Sequence, residues 1–275
     1  SNSGSSVAWT RKDTVVTTSS DGTSLVSGDR NFPIQTAASK YGGNYAKALL
    51  LLNQSGGPSV LPVDYSGNST AITFGGNTTT PWANAGYFTS VAAVAQNTAL
   101  VVPASAVALS LLTDSFLMAF TLNKAAPAGV ETLCGCTDLS TQPGFNININ
   151  ASGYVGPRLR VNGATVATTY GTHAAADGAD HRVMLTWDAP TKTMTAYVDG
   201  VSSVVQTAGT VLSTDVVATA LALGRTTTGD SVAGKFAGFL FCTFAASGLP
   251  LNMSELVTLD NTRRRSGITD LSVFF

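Results

Sequence analysis

Residues 177 to 200, DGADHRVMLTWDAPTKTMTAYVDG, constrain the fold more than any other stretch of this chain. In HRVMLTW the side chains alternate, with Val183, Leu185 and Trp187 on one face and Arg182, Met184 and Thr186 on the other. TMTAYVDG continues the pattern, setting Met194, Ala196 and Val198 against Thr195, Tyr197 and Asp199. A period of two over both runs is the mark of half-buried strands. Between them DAPTK carries turn chemistry, since Asp188 can bond its own backbone and Pro190 fixes φ. Asp199-Gly200 then allows a tight reversal with φ > 0 into VSSVVQ. Three short antiparallel strands in succession are predicted.

A second hairpin is predicted over GFNININASGYVGPRLRVNG. Phe145, Ile147 and Ile149 face one way and Asn146, Asn148 and Asn150 the other, after which Leu159 and Val161 alternate with Arg158 and Arg160. Its polar face is a ladder of amides and guanidinium groups. Asparagine is a poor strand former, so three on one face call for an explanation. Two readings stand. The ladder is a solvated or subunit-facing sheet face, or it is the polar half of a sugar site with Tyr154 or Tyr170 as the aromatic platform.

The pattern Asp-Gly-x-x-His-x-Val-x-Leu-Thr-Trp-Asp followed by Tyr-Val-Asp-Gly resembles the centre of the laminin-G-like or concanavalin A-like jelly-roll family. His181, Val183, Leu185, Thr186, Tyr197, Val198, Asp199 and Gly200 carry the resemblance. Asp180 departs from it, standing where the family has Trp, so the packing of that indole has to come from elsewhere, with Trp187 as one source. ALLLLN at 48 to 53, Asp64, Ser66 and Gly67, the strand DSFLMAFTL at 114 to 122 and the closing strand FAGFLFCTFA extend the likeness to residues 46–262. It implies an all-β fold, an antiparallel β-sandwich jelly roll, with an extended N-terminal arm over 1–45, a short helix after the closing strand and a tail over 263–275. In that helix Asn252 or Ser254 can cap the start and Arg263 to Arg265 suit the negative end of the dipole.

Composition narrows the function. Charged residues are 11% of the 275, against about 25% in ordinary globular domains, so the surface is covered by Ser, Thr, Asn, Gly and Ala. Fifteen basic against sixteen acidic residues leave a net charge of -1, which gives no field to attract nucleic acid or an anionic membrane. Cys134, Cys136 and Cys242 are too few for a disulfide framework and read as small core residues. The apolar region 91 to 122 is broken by Gln96, Asn97, Pro103 and Asp114, so no membrane span is expected. SNSGSSVAWTRKD has no apolar h-region, and no signal peptide is read in it.

Catalysis is not expected. Retaining glycan hydrolysis needs two carboxyl groups about 5 Å apart, and the chain's two glutamates, Glu131 and Glu255, lie far apart with no Asp-x-Asp spacing to replace them. There is no G-x-S-x-G elbow. Calcium is the one cofactor the resemblance allows, with loop aspartates Asp64, Asp188, Asp199 and Asp230 as oxygen ligands, although each also reads as a turn former. The jelly-roll resemblance together with the charge-poor texture and the arm looks most like a bacteriophage virion surface protein. Its expected partners are other virion proteins through the arm, a glycan ligand, and further copies of the chain. A secreted carbohydrate-binding or adhesion module is the alternative.

Overall fold

The structure is a computed structural model that describes residues 8–10, 14–18, 24–27, 46–50, 52, 61–62, 64, 66, 68, 70–75, 82–83, 87–90, 99–137, 139–224 and 233–245. The chain divides into two compact units, Tyr45–Pro250 and Ser1–Asn44 with Leu251–Phe275. In the second, the segment expected to be an arm contains a three-stranded antiparallel sheet of β1 (Ala8–Thr10), β2 (Thr14–Thr18) and β3 (Ser24–Ser27), in that order. Strands of three to five residues are too short to show a period, so the sequence reads them as irregular. The helix expected after the closing strand lies outside the described residues.

The larger unit is an antiparallel β-sandwich, built from β4 (Ala46–Leu50), β5 (Thr73–Gly75), β6 (Trp82–Ala83), β7 (Tyr87–Ser90), β8 (Ala99–Val102) and a one-turn helix α1 (Ala104–Val107). Then come β9 (Leu109–Ser110), β10 (Asp114–Asn123), β11 (Glu131–Cys136), β12 (Gly144–Ile149), β13 (Val155–Val161) and β14 (Ala164–Val166). The predicted meander follows as β15 (Asp180–Asp188), β16 (Thr193–Val198) and β17 (Val201–Thr207), before β18 (Val216–Val217), β19 (Leu221–Leu223) and β20 (Gly234–Ala245). One sheet runs β17-β16-β15-β10-β20-β7-β6, with β4 also on β20, and the other β14-β13-β12-β11-β19-β8-β5. Among the described residues no helix is long and apolar enough to cross a membrane.

The turns explain the meander. Asp199 and Gly200 both take positive φ, 53° and 79°, and Val198 pairs with Val201 across them, the two-residue reversal that suits twisted strands. Val183, Leu185, Trp187, Met194, Ala196 and Val198 all enter the core, on the face the alternation assigns them. The two sheets meet through rings: Phe116 of β10 stacks on Phe145 of β12 with centroids 4.0 Å apart, and Phe241 of β20 lies 5.8 Å from Phe116. Such pairs add about 1 kcal/mol each to their burial.

Among the register shifts between paired strands, two reset the alternation around the core and the ladder. Between Phe120 and Thr121 the register against β20 skips Gly238, which takes φ 56°. The extra residue changes the parity of the strand, so Phe236, Phe239 and Phe241 all reach the core despite their uneven spacing. A second irregularity between Thr132 and Cys134 leaves Thr132 opposite Asn148 while Leu133, Cys134 and Cys136 enter the core. Burial pushes both thiols up, Cys136 to about 11, which keeps them protonated packing groups.

Candidate functional site

The polar ladder exists, on the face of the seven-stranded sheet that turns away from the core. Phe145, Ile147 and Ile149 of β12 are fully buried between the sheets, so Asn146 and Asn148 point to the opposite side. β13 faces them in antiparallel register, with Arg160 opposite Gly144, Arg158 opposite Asn146 and Gly156 opposite Asn148. On the other flank Gly135 of β11 meets Asn146 and Thr132 meets Asn148. Leu159 and Val161 are buried while Arg158 and Arg160 are half-exposed.

The asparagines are not solvated. Asn146 is 3% and Asn148 4% exposed. Part of that cover is a segment running over Gly156, where an added Cβ would sit 2.6 Å from the Thr169 carbonyl and 2.9 Å from Tyr170 Cδ1. Only a residue without a side chain lets the backbone approach so closely. The segment is pinned along its length. Gly171 N–H donates to Val155 O at 2.9 Å, His173 N–H to Ser203 Oγ at 3.4 Å, and Gln206 Nε2 to Ala167 O. It therefore ties β13, next to the edge strand β14 of one sheet, to β17, at one edge of the other.

This strap delivers an aromatic ring to the ladder. Thr132 Oγ1 donates to Asn148 Oδ1 at 3.0 Å, and the Tyr170 ring lies against Gly156, the residue opposite Asn148. Burial raises the Tyr170 pKa, partly offset by the neighbouring Asn148 amide and Arg158 charge, so the phenol is neutral. Tyr154, the other expected platform, stands at the turn end of β13, where its N–H donates to Asn150 Oδ1 at 3.0 Å. Tyr170 is the ring that joins Asn148 and Arg158. Asn146 Oδ1 and Arg160 Nε are buried with no hydrogen-bond partner, and Arg160 reaches Thr165 Oγ1 only at 3.4 Å. Thr132 and Gly156 belong to this site, and no pattern marks them, because a bulge and a strap define their roles.

The loop aspartates are placed separately. Asp64 closes its own turn, accepting Ser66 N–H and Thr70 N–H at 2.9 Å each. Asp188 accepts from Thr191 Oγ1 at 2.5 Å in the β15–β16 turn, at the opposite end of that hairpin from Asp199. Asp230 lies outside the described residues. Among the described residues no three His, Cys, Asp or Glu side chains come together in a way that could hold a metal ion.

Asp199 is instead half of a clamp. Its Oδ1 accepts Arg182 N–H and its Oδ2 faces His181 Nδ1, both at 2.8 Å, while Asp177 Oδ1 faces His181 Nε2 at 2.8 Å. With a carboxylate on each ring nitrogen, the doubly protonated imidazolium satisfies both. Burial pulls the His181 pKa down, but the two carboxylates more than reverse this and raise it above 6.5. Asp177 is lowered, first by the Ala179 N–H and then by His181. A raised histidine contributes stability that is fully present below pH 6.5 and is lost as pH rises through its folded value. The lowered aspartate contributes above pH 3.8 and loses that contribution as pH falls. Thermal melts should therefore fall between pH 6 and pH 8 in the wild type and stay flatter in His181→Gln; equal slopes would remove the clamp from the account.

No protein-family model matches this chain, and no curated protein matches it. Solved structures do match. The binding domain of Paraclostridial Mosquitocidal Protein 1 is similar with a TM-score of 0.58 and 15% identity, over 80% of this chain and 52% of that one. The binding domain of botulinum neurotoxin DC in complex with rat synaptotagmin II gives 0.59 and 12%, over 81% and 52%. A structure of botulinum neurotoxin type C, whose cell entry depends on interaction with two ganglioside molecules, gives 0.57 and 12%, over 80% and 51%. The likeness is one of fold. This chain spans about half the length of each of these structures, two of which are binding domains by description.

Proposed function

We propose that this chain is a non-enzymatic glycan-binding β-sandwich of the laminin-G-like or concanavalin A-like kind, displayed on the surface of a bacteriophage particle. The observation that carries the binding role is the assembly of Tyr170, Asn148 and Arg158 on one outward sheet face. A ring offers its face to sugar C–H groups and the half-exposed Arg158 guanidinium directs hydrogen bonds at hydroxyls, while the buried Asn148 forms the floor beneath them. The site is held before any ligand arrives, since the strap is bonded to both sheets and Asn148 is fixed by Thr132. Preorganisation of this kind reduces the entropy lost on binding. Structural neighbours that are themselves binding domains, including one in complex with SialylT, support the same reading.

A glycan array read with the wild type, Tyr170→Ala and Arg158→Ala tests the site. Loss of the ring should weaken a bound glycan by about fivefold to tenfold, and loss of the guanidinium by about tenfold or more. Unchanged binding in both variants would move the site off the ladder. Virion display rests on the charge-poor Ser, Thr, Gly and Ala texture and on the separate unit formed by the two ends of the chain. Deleting residues 1–45 should abolish association with purified particles and leave glycan binding intact.

A further inference from the structure

The outward face of β13 continues past Tyr170. Gly156 lies against the Tyr170 ring, and Arg158 and Arg160 follow on the same side of the strand, while Leu159 and Val161 between and after them are buried. Alternate residues of a strand stand about 7 Å apart, so the line from the ring to the second guanidinium is about 13 Å long. A ligand that follows it is longer than one sugar ring.

The protein itself makes little use of these two guanidinium groups, each of which carries five N–H donors. Arg160 reaches Thr165 Oγ1, across its pair with β14, only at 3.4 Å, and its Nε is buried with no hydrogen-bond partner. Among the described residues Arg158 makes no hydrogen bond, and its charge is felt at the Tyr170 phenol. No carboxylate pairs with either, since the ion pairs among the described residues are Lys124 with Glu131 and His181 with Asp177 and Asp199. Asp215, which meets the chain just after β13, is taken up by the N–H groups of Asn162 and Leu212. Asn146, directly opposite Arg158, is neutral. The whole chain carries a net charge of -1, so two adjacent, half-exposed and uncompensated cations are a local feature of a weakly acidic protein.

A guanidinium is a planar fork of donors that matches the oxygens of a carboxylate or a sulfate two at a time, and it gives up its water more readily than an ammonium does. Two such forks stand in line with an aromatic ring. We infer that the ligand of the ladder is an acidic oligosaccharide, lying along β13 with one sugar on Tyr170 and the oxyanion of a neighbouring unit, a carboxylate or a sulfate, held by Arg158 and Arg160. This rests on the ladder being the glycan site, and adds the charge of the ligand and its direction on the sheet. A neutral glycan can stack on the ring but leaves both cations without a partner, which is the basis of discrimination.

Oligosaccharides of hyaluronan, alginate and dextran sulfate, each arrayed beside its carboxyl-reduced or unsulfated form, test this on the full chain. The acidic member of at least one pair should bind, and its neutral counterpart at least about tenfold more weakly. The pair that shows the difference identifies the oxyanion as carboxylate or sulfate. Arg160→Gln should weaken acidic binding by about tenfold and leave neutral binding as it is. Lys235→Gln removes the same charge from an exposed position on β20, in the other sheet, and should change neither. Equal binding of both members of every pair, wild-type acidic binding by Arg160→Gln, or an equal loss in Lys235→Gln would each overturn the inference. Failure of the acidic class and failure of the site read differently. Neutral forms bound as tightly as acidic ones, and lost in Tyr170→Ala, would leave the ladder a glycan site without an acidic ligand, whereas binding of neither kind would remove both.

Discussion

Replacing Trp187 by alanine should lower the melting temperature by at least about 8 °C, taking roughly 4 kcal/mol of stability and about 2–4 °C per kcal/mol for a domain of this size. The indole is fully buried in the core between the sheets, opposite Phe116 of β10. Its Nε1 donates to Leu111 O at 3.0 Å. Leu111 is itself placed by its N–H to Asp215 O at 2.9 Å. The Asp215 carboxylate in turn accepts Asn162 N–H at 2.9 Å and Leu212 N–H at 2.7 Å. Truncation therefore opens a large cavity and also removes the donor that fixes a buried carbonyl. Trp187→Phe separates the two effects, because it keeps most of the packing and loses only the N–H, and should cost about 1–3 kcal/mol. A loss below about 2 kcal/mol for the alanine variant would mean that the core collapses around the site and that the Leu111 contact carries little.

The same residue shows how far the sequence could be read. Asp180 stands where the resembling family has Trp, and a buried indole is supplied by Trp187, seven positions on in the same strand. Period-two alternation identifies inward and outward faces wherever a strand is unbroken, as in β10, β12, β13, β15 and β16, because the core demands it of every second residue. It fails where a single residue is inserted. FAGFLFC looks irregular until Gly238 is removed from the count, and nothing in the string says which glycine takes positive φ.

The ladder divides in the same way. Asn146, Asn148, Arg158 and Arg160 share a face as their spacing requires. Their burial under the strap, and the choice of Tyr170 over Tyr154, depend on contacts between positions far apart in the chain, such as Gln206 with Ala167 and Gly171 with Ser203. Local pattern carries no information about such pairs.

Gly135→Ala should be the most damaging single-methyl insertion around the ladder. Gly135 pairs with Asn146 on one side and Ala222 on the other, and its Cβ position is within 2.5 Å of both Asn146 Cα and Phe145 O. These are backbone atoms of the neighbouring strand, so no rotamer change relieves the clash and β11 must move away from β12. Overpacking of this kind costs about 1–3 kcal/mol and occasionally more, and the upper end is expected here because Phe145 is also the ring stacked on Phe116. Since Asn146 lies directly opposite Arg158, the strand shift should also weaken any ligand held by the ladder. Gly129→Ala is the control, as nothing lies within 4 Å of its Cβ position, and it should be neutral within about 0.5 kcal/mol. Gly163→Ala isolates the backbone term, with φ 69° but open space around the Cβ, and should cost about 1 kcal/mol. If chemical denaturation ranked Gly135→Ala at or below Gly163→Ala, the close approach of β11 and β12 would have to be relaxed, and with it the argument that the ladder is held rigid before a ligand binds.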